Sequence, residues 1–307
     1  MKKKKTGFIF KICISLTLIL AIFASGYLFL DKKIVPKYFG KYGINGIPDL
    51  VGVVASLYKS PNESKIVTNG FTQTDFSNAV SKLQNAGYKM NDDGSMKETS
   101  FEKFKGTDSV IMTDRELASI CNKFLSDGIL VDALPDLNYL NSINISVLEI
   151  IITPDKDSFN GGVYTKAHVS SIMKINTTDI CEQIAEQMDT PLFLLNMIIP
   201  QVLYFEVAYD IDLNKQAEES MIVEASGSIA INGRSEKQSE ILINLLIDFI
   251  FPDDEEMNIE KFTNELGNVI VIGIEKLGDF KFVDEIGTQK KQNGVVVNPV
   301  VQPAPVV

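Results

Sequence analysis

One uncharged apolar run near the N-terminus constrains this chain more than any other feature of its sequence. The run begins at Ile12 and ends at Leu30, and its 19 residues (ICISLTLILAIFASGYLFL) carry no charge. As a helix rising about 1.5 Å per residue it would be roughly 28 Å long, close to the ~30 Å hydrocarbon thickness of a bilayer. The sequence therefore predicts a transmembrane anchor over residues 12–30, preceded by a basic cytoplasmic tail over residues 1–11.

A cleaved signal peptide is the alternative interpretation of this segment. The lysines before it resemble a signal n-region, and Ala24, Ser25 and Gly26 resemble a cleavage site. The run continues past Gly26, however, and exceeds the ~7–15 residues of a signal h-region, which favours an uncleaved anchor. Five lysines precede the run and four follow it closely. With the short tail, this distribution predicts a cytoplasmic N-terminus and an extracytoplasmic C-terminal part.

The rest of the chain is acidic and has a globular composition. The formal net charge is −11, and because the first 30 residues hold five lysines and no acid, residues 31–307 carry −16. An acidic surface repels a phosphate backbone, so nucleic acid is not an expected partner. Hydrophobic residues make up 45% of the chain, which is enough for a packed core.

Cysteine and histidine usage restricts the chemistry available to the chain. His168 is the only histidine, which rules out sites that need paired histidines. Cys121 and Cys181 fit no zinc or redox spacing and occur among apolar residues of predicted helices. Two buried free thiols are the favoured interpretation, and a disulfide between them is the alternative.

Composition and pattern divide the chain behind the anchor into segments. Residues 31–70, rich in Gly, Lys and Pro, are predicted to form a stem. Residues 71–99 are predicted to be a small helical segment and a polar linker, with the internal boundary at residues 91–99. Residues 100–286 are predicted to be the globular domain, and residues 287–307, which show no periodicity, a disordered tail.

Capping signals and alternating patterns predict the elements of the globular domain. Thr113 and Glu116 form a capping box before a helix, Ser235 and Gln238 form another, and Asn258 caps a third. The order of helices and strand pairs predicts an α+β fold with a mainly antiparallel sheet and packed helices. Strands are predicted from alternation at residues 143–152, 163–175, 201–213, 221–232 and 279–284.

No catalytic constellation can be assembled from the sequence. Glu206, Asp210 and Asp212 share one face of a predicted strand, and His168 lies on the polar face of another. The simpler interpretation is that these are solvent-facing sides of strands, and a hydrolytic carboxylate site is the alternative. The acidic run at residues 253–256 lacks the spacing of a calcium loop. We therefore expect no catalytic residues, no metal site and no cofactor.

The helix predicted at residues 236–251 is apolar on nearly every side from residue 238 onward. A central buried helix is the simpler interpretation, and a surface for an acyl chain or a partner helix is the alternative. The residues that would form such a surface are Ile241, Leu242, Leu245, Leu246, Phe249 and Ile250.

The anchor, the acidic domain and the lack of catalytic groups together predict a function class. We expect a membrane-anchored, non-enzymatic protein of the bacterial cell envelope that acts as an interaction or assembly module with a protein partner. The alternative is an extracytoplasmic domain that binds a lipid or another amphiphile.

Overall fold

The chain divides into two compact units, Met1–Lys59 and Ser60–Val307. The computed structural model describes residues 25–40, 43–58, 63–98, 100–128, 144–187, 199–214, 223–225, 229–233, 258–286 and 292–299, together with positions 192, 243, 244 and 247. Within these residues, no helix combines the length and the apolar character needed to cross a membrane. Residues 12–24 of the predicted anchor lie outside the described residues, so the anchor stays a prediction.

The described part of the smaller unit is mainly helical. Residues 25–29 are helical and lead through a π turn at Leu30–Ile34 into helix α1 (Val35–Phe39). Helix α2 (Ile47–Tyr58) follows after a short connection. A proline in the first turn of α1 suits that position because the amide it lacks would have no partner within the helix.

The larger unit combines helices with two antiparallel sheets, which confirms the predicted α+β class. Its helices are α3 (Glu63–Ile66), α4 (Gln73–Asn85), α5 (Phe101–Phe104), α6 (Asp114–Ser126), α7 (Thr178–Gln187) and α8 (Ile259–Leu277). Its strands are β1 (Val110–Thr113), β2 (Asn144–Pro154), β3 (Phe159–Asn160), β4 (Val163–Tyr164), β5 (Lys166–Asn176), β6 (Val202–Asp212), β7 (Val223–Ala225), β8 (Ala230–Ile231), β9 (Phe280–Ile286) and β10 (Gln292–Val297). One sheet has the order β1-β10-β9-β4-β3, and the other has the order β2-β5-β6-β7, with β8 also paired to β6.

Helix α6 lies at the centre of the larger unit. Its predicted capping box is confirmed: the Thr113 hydroxyl accepts the Glu116 N–H at 3.2 Å, and the Glu116 carboxylate accepts the Thr113 N–H at 2.9 Å. The helix packs against β2 of one sheet, against β1 and β10 of the other, and against α4 and α8. Leu117, Ile120, Cys121 and Phe124 recur at helical spacing on one face of α6, and all four are buried.

Both described cysteines are free and buried, as the sequence analysis favoured. Cys121 belongs to α6 and Cys181 to α7. Burial raises the pKa of the Cys121 thiol to about 12, so it stays protonated and unreactive at neutral pH.

Residues 63–70, which we call the strap, pack on the face of the β2-β5-β6-β7 sheet that carries Ile172 and Tyr204. We call this the outer face of the sheet. Ile66 of the strap packs on Ile172 and Tyr204 of the sheet. Glu63 accepts the Tyr204 O–H at 2.7 Å and pairs with Lys174 at 3.2 Å. The strap therefore closes over the apolar end of this face and leaves the other end open.

Strand 163–175, predicted as one element, is divided between the two sheets. Val163–Tyr164 pairs with β9, whereas Lys166–Asn176 pairs with β2 and β6. Thr165 is the only residue between these two strands. The parity of the buried side chains changes at this division, because Tyr164 is the buried residue of β4, whereas Ala167 and Val169 are buried in β5.

The structure also differs from the predicted segment boundaries. Residues 292–297, placed in a disordered tail by the sequence, form β10, and Val295 and Val297 are fully buried. A strand covered on both faces reads as a continuous apolar run, so it shows no alternation. The division of the chain falls between Lys59 and Ser60 rather than at residues 91–99. Residues 71–99 belong to the larger unit, and Tyr88 is one residue that holds them there. Its hydroxyl donates to the Leu277 carbonyl at 2.7 Å.

Candidate functional site

An open pocket of about 680 Å³ lies at the uncovered end of the outer face. Three elements line it: the end of β2 with the turn at residues 155–157, the start of β5, and the end of β6. The row formed by Ser170 and Ala208 separates this end of the face from the strap-covered end. The charged and polar side chains of the lining are Thr153, Asp155, Lys156, Asp157, Lys166, His168, Asp210 and Asp212.

Strand register places the pocket side chains in two rows. His168 lies directly opposite Asp210 on β6 and opposite Thr153 on β2. Lys166 lies opposite Asp212 in the next row. Residues two apart along a strand point to the same face, so both rows face the pocket.

Each of these rows contains an acid–base pair. The His168 Nδ1 and Asp210 Oδ1 atoms are 2.9 Å apart, and the Lys166 Nζ and Asp212 Oδ2 atoms are also 2.9 Å apart. The hydrogen bond from Lys166 to Asp212 raises the pKa of Lys166, which fixes its positive charge. The His168 and Asp210 side chains are about half exposed, at 47% and 58%. A dissolved ligand can therefore reach both of them.

Lys156 ties the rim of the pocket to the other sheet. Its ammonium pairs with the carboxylate of Asp284 on β9 and donates to the Tyr164 hydroxyl at 3.2 Å. The Tyr164 hydroxyl in turn donates to Asp284 at 2.8 Å. The hydrogen bond from Lys156, followed by that from Tyr164, lowers the pKa of Asp284. The rim lysine is thus engaged by a carboxylate and a hydroxyl of the neighbouring sheet.

Asp155 shapes the turn that borders the pocket. Its side chain accepts the Asp157 N–H at 3.0 Å, and its carbonyl accepts the Ser158 N–H at 3.0 Å. The Ser158 hydroxyl accepts the Lys166 N–H at 3.0 Å and so fastens the turn to β5. An aspartate commonly stabilises a turn through such a bond to the backbone two residues later.

The pocket carries an excess of negative charge. Its four lining aspartates and Asp284, which pairs with the rim lysine, make five carboxylates. Among the described residues of the lining, Lys156 and Lys166 oppose them, so three negative charges are in excess there when His168 is neutral. A concave surface with charge of one sign concentrates ligands of the other sign. The pocket therefore favours cationic groups.

The structure brings together some of the residues singled out in the sequence and separates others. His168, Asp210 and Asp212 meet in the pocket. Glu206 does not line it, since it lies opposite Ile172 on β5, beyond the row of Ser170 and Ala208. Among the described residues, no group of three or more His, Cys, Asp or Glu side chains is arranged to hold a metal ion. The acidic run at 253–256 lies outside the described residues.

The proposed apolar ligand surface is also outside the described part of the chain. Three residues of the same segment are described; Ile243 and Ile247 are buried, and Asn244 is partly buried. The lipid-binding alternative stays a prediction for the six residues Ile241, Leu242, Leu245, Leu246, Phe249 and Ile250.

The sequence did not assign Thr153, the side chains of the 155–157 turn or the pairing of Lys156 with Asp284 to a functional site. The turn and Asp284 come from distant segments, and no local pattern connects them. One signal was present, however. Lys166 and His168, two apart on one strand, complement Asp212 and Asp210, two apart on the next. Matched spacings of opposite charge predict both the antiparallel pairing and its register.

No protein-family model matches the sequence, and no curated protein matches it either.

Proposed function

We propose that this chain is a single-pass membrane protein of the cell envelope whose larger unit is a non-enzymatic module that binds a protein partner at the pocket. The pocket is the observation that supports the binding role. Its acids and bases are paired across strands, so it presents a pattern of charge with a net negative excess. A basic segment of a partner protein complements that pattern.

The anchor is supported by the exposed residues that follow the undescribed part of the predicted span. Tyr27, Leu28, Phe29 and Leu30 are consecutive and between 46% and 59% exposed. Contiguous exposed apolar side chains are unfavourable in water and typical of membrane or protein contact sites. The charged residues 31–33 follow at once, as expected where a helix leaves the hydrocarbon.

The binding role is tested by capturing partners with matched charge reversals in the full-length protein. Asp157→Lys changes the charge of the pocket at an exposed position, and Glu102→Lys makes the same change on the exposed surface of α5. We expect Asp157→Lys to abolish or strongly weaken recovery of a crosslinked envelope partner, whereas Glu102→Lys leaves it unchanged. Raising the salt concentration should weaken the wild-type interaction, because exposed charges are screened. Equal recovery of the partner by the two variants would show that the pocket is not the binding site.

Hydrolysis is the second candidate function, and the His168–Asp210 pair is the observation that favours it. A carboxylate on Nδ1 orients an imidazole as in nucleophilic triads, and Thr153 supplies a hydroxyl in the same row. The test is the hydrolysis of small esters by the wild type and by His168→Gln. A rate that is indistinguishable between the two proteins would discard this candidate.

A further inference from the structure

We infer that helix α2 lies in the interface of the lipid bilayer beside the proposed anchor, with lipid as its partner. This inference rests on the anchor of the proposed function. It assigns to the stem a second contact with the membrane, which the sequence pattern alone did not indicate.

The sequence of α2 is that of a helix without a polar face. Its twelve residues, IPDLVGVVASLY, contain one charge, Asp49, which stands in the first turn. At about 1.5 Å per residue the helix is roughly 18 Å long, too short to cross a hydrocarbon core of ~30 Å. A helix that is apolar all round needs an apolar environment on most sides.

Most of the described residues of α2 are exposed, and only Ile47 and Leu50 among them are partly buried. Val51 is 56% exposed, and Pro48, Gly52 and Ala55 are exposed as well. Of the seven large apolar side chains described as exposed, five belong to this unit, namely Tyr27, Leu28, Phe29, Leu30 and Val51. The exposed apolar surface of α2 therefore adds to that of the proposed anchor within the same unit.

Asp31 fixes the start of α2 at the level where the anchor ends. It is the first charged residue after the apolar run, and its carboxylate accepts the Ile47 N–H at 2.7 Å. A Cβ atom on Gly46 would lie only 2.5 Å from the Asp31 oxygen, so this approach requires glycine. The hydrogen bond from Lys32, followed by that from Ile47, lowers the pKa of Asp31, and the carboxylate stays charged. A charged group at this position belongs among the lipid headgroups.

The charges around this junction favour lipid over a protein surface as the partner. Lys32 and Lys33 are exposed beside Asp31, where they can meet anionic headgroups. Beyond Asp49, α2 carries no charge that would oppose insertion. An interfacial helix typically sinks about 5–10 Å into the boundary between headgroups and acyl chains.

The absence of tryptophan from the chain makes the test direct. Full-length Val51→Trp is reconstituted into vesicles of phosphatidylcholine and phosphatidylglycerol that carry bromine at a shallow or a deep acyl position. Phe29→Trp reports on the anchor, and Ile111→Trp places a reporter at an exposed apolar position of the larger unit. Bromine quenches only a tryptophan that touches lipid, so the result distinguishes lipid from protein contact.

We expect both Val51→Trp and Phe29→Trp to lose fluorescence in brominated vesicles, with Val51→Trp quenched more by shallow bromine, and Ile111→Trp to be unaffected. If Phe29→Trp is quenched and Val51→Trp is not, the inference fails while the anchor stands. A blue-shifted but unquenched Val51→Trp would identify a protein surface instead and would also overturn it. If neither Val51→Trp nor Phe29→Trp is quenched, both the anchor and the inference are overturned. If Val51→Trp and Ile111→Trp are quenched equally, the lipid contact is not specific to α2, and the inference fails.

Discussion

Two buried tyrosines of the larger unit use their hydroxyl groups differently. The Tyr88 hydroxyl donates to the Leu277 carbonyl at 2.7 Å and accepts from the Asn298 amide at 3.1 Å. The Tyr209 hydroxyl lies near Ser171 in the core, but within the described part of the chain neither group has a partner with hydrogen-bond geometry. Burial raises the pKa of Tyr88 to about 12 and raises that of Tyr209 as well, so both are neutral at physiological pH.

These two environments predict opposite effects of the same substitution. Tyr88→Phe leaves a buried carbonyl and an amide without their partner, and we expect it to lower the free energy of unfolding by about 1–3 kcal/mol. Tyr209→Phe removes a buried hydroxyl that has no partner, so we expect no loss of stability or a small gain. Urea unfolding followed by circular dichroism measures both, and similar losses in the two variants would contradict the hydrogen-bond assignment.

At the scale of elements, the strap depends on a carboxylate for its attachment. The Tyr204 hydroxyl, together with Lys174, lowers the pKa of Glu63 below its ordinary value of 4.5. A carboxyl whose pKa is lower in the folded state stabilises that state above its unfolded pKa. This contribution is lost as the pH falls through the lowered value.

We therefore expect Glu63→Gln to loosen the strap at pH 7 and to have a progressively smaller effect below pH 4.5, the ordinary value. The change in stability should be less than about 1 kcal/mol, because the pair is partly exposed. Amide exchange at Val67, whose N–H is bound by the Glu63 carbonyl at 2.9 Å, provides the local measurement. Glu98→Gln removes an ion pair away from the strap and serves as the control. A difference that persists unchanged at low pH would contradict the assignment.

Strand β10 is held against β1 so closely that it has no room for a side chain at Gly294. A Cβ atom there would lie 2.0 Å from the Met112 carbonyl oxygen, which belongs to the backbone and cannot turn aside. We expect Gly294→Ala to destabilise the larger unit by about 1–3 kcal/mol, the usual range for overpacking. Urea unfolding measures the change. Gly52→Ala, where nothing lies within 4 Å of the added atom, is the matched control and should leave this unit unaffected.

Helix starts were predictable where the capping residue lies close in sequence to the amide it binds. Strand boundaries that depend on partners in distant segments were not predictable. The capping box at Thr113 and the cap at Asn258 lie within four residues of the amides they bind, and both are confirmed. The strand break at Thr165 and strand β10 depend on partners in other segments. The same reason explains the candidate site. Single strands placed His168 and Asp210 on polar faces, but only the register brought them to 2.9 Å.

For the whole molecule, the two units differ in the character of their exposed surfaces. Val51 and residues 27–30 of the smaller unit are apolar and exposed, whereas the larger unit exposes only Ile111 and Phe159 among its described large apolar side chains. We expect a protein that begins at Ser60, the start of the larger unit, to be recovered without detergent and to run as a single species on size exclusion. The full chain should require detergent. Aggregation of the shorter protein would show that the larger unit depends on residues 1–59.

The pairing of β1 with β10 determines the order in which the protein can assemble during synthesis. Val110 aligns with Val297, so β1 is synthesised long before its partner strand. Pairings between such distant segments form slowly, and strand edges that lack their partner are prone to aggregate. This sheet can therefore close only after translation has passed residue 297. Until then β1 lacks its neighbour in the sheet, because β10 is the strand that pairs with it.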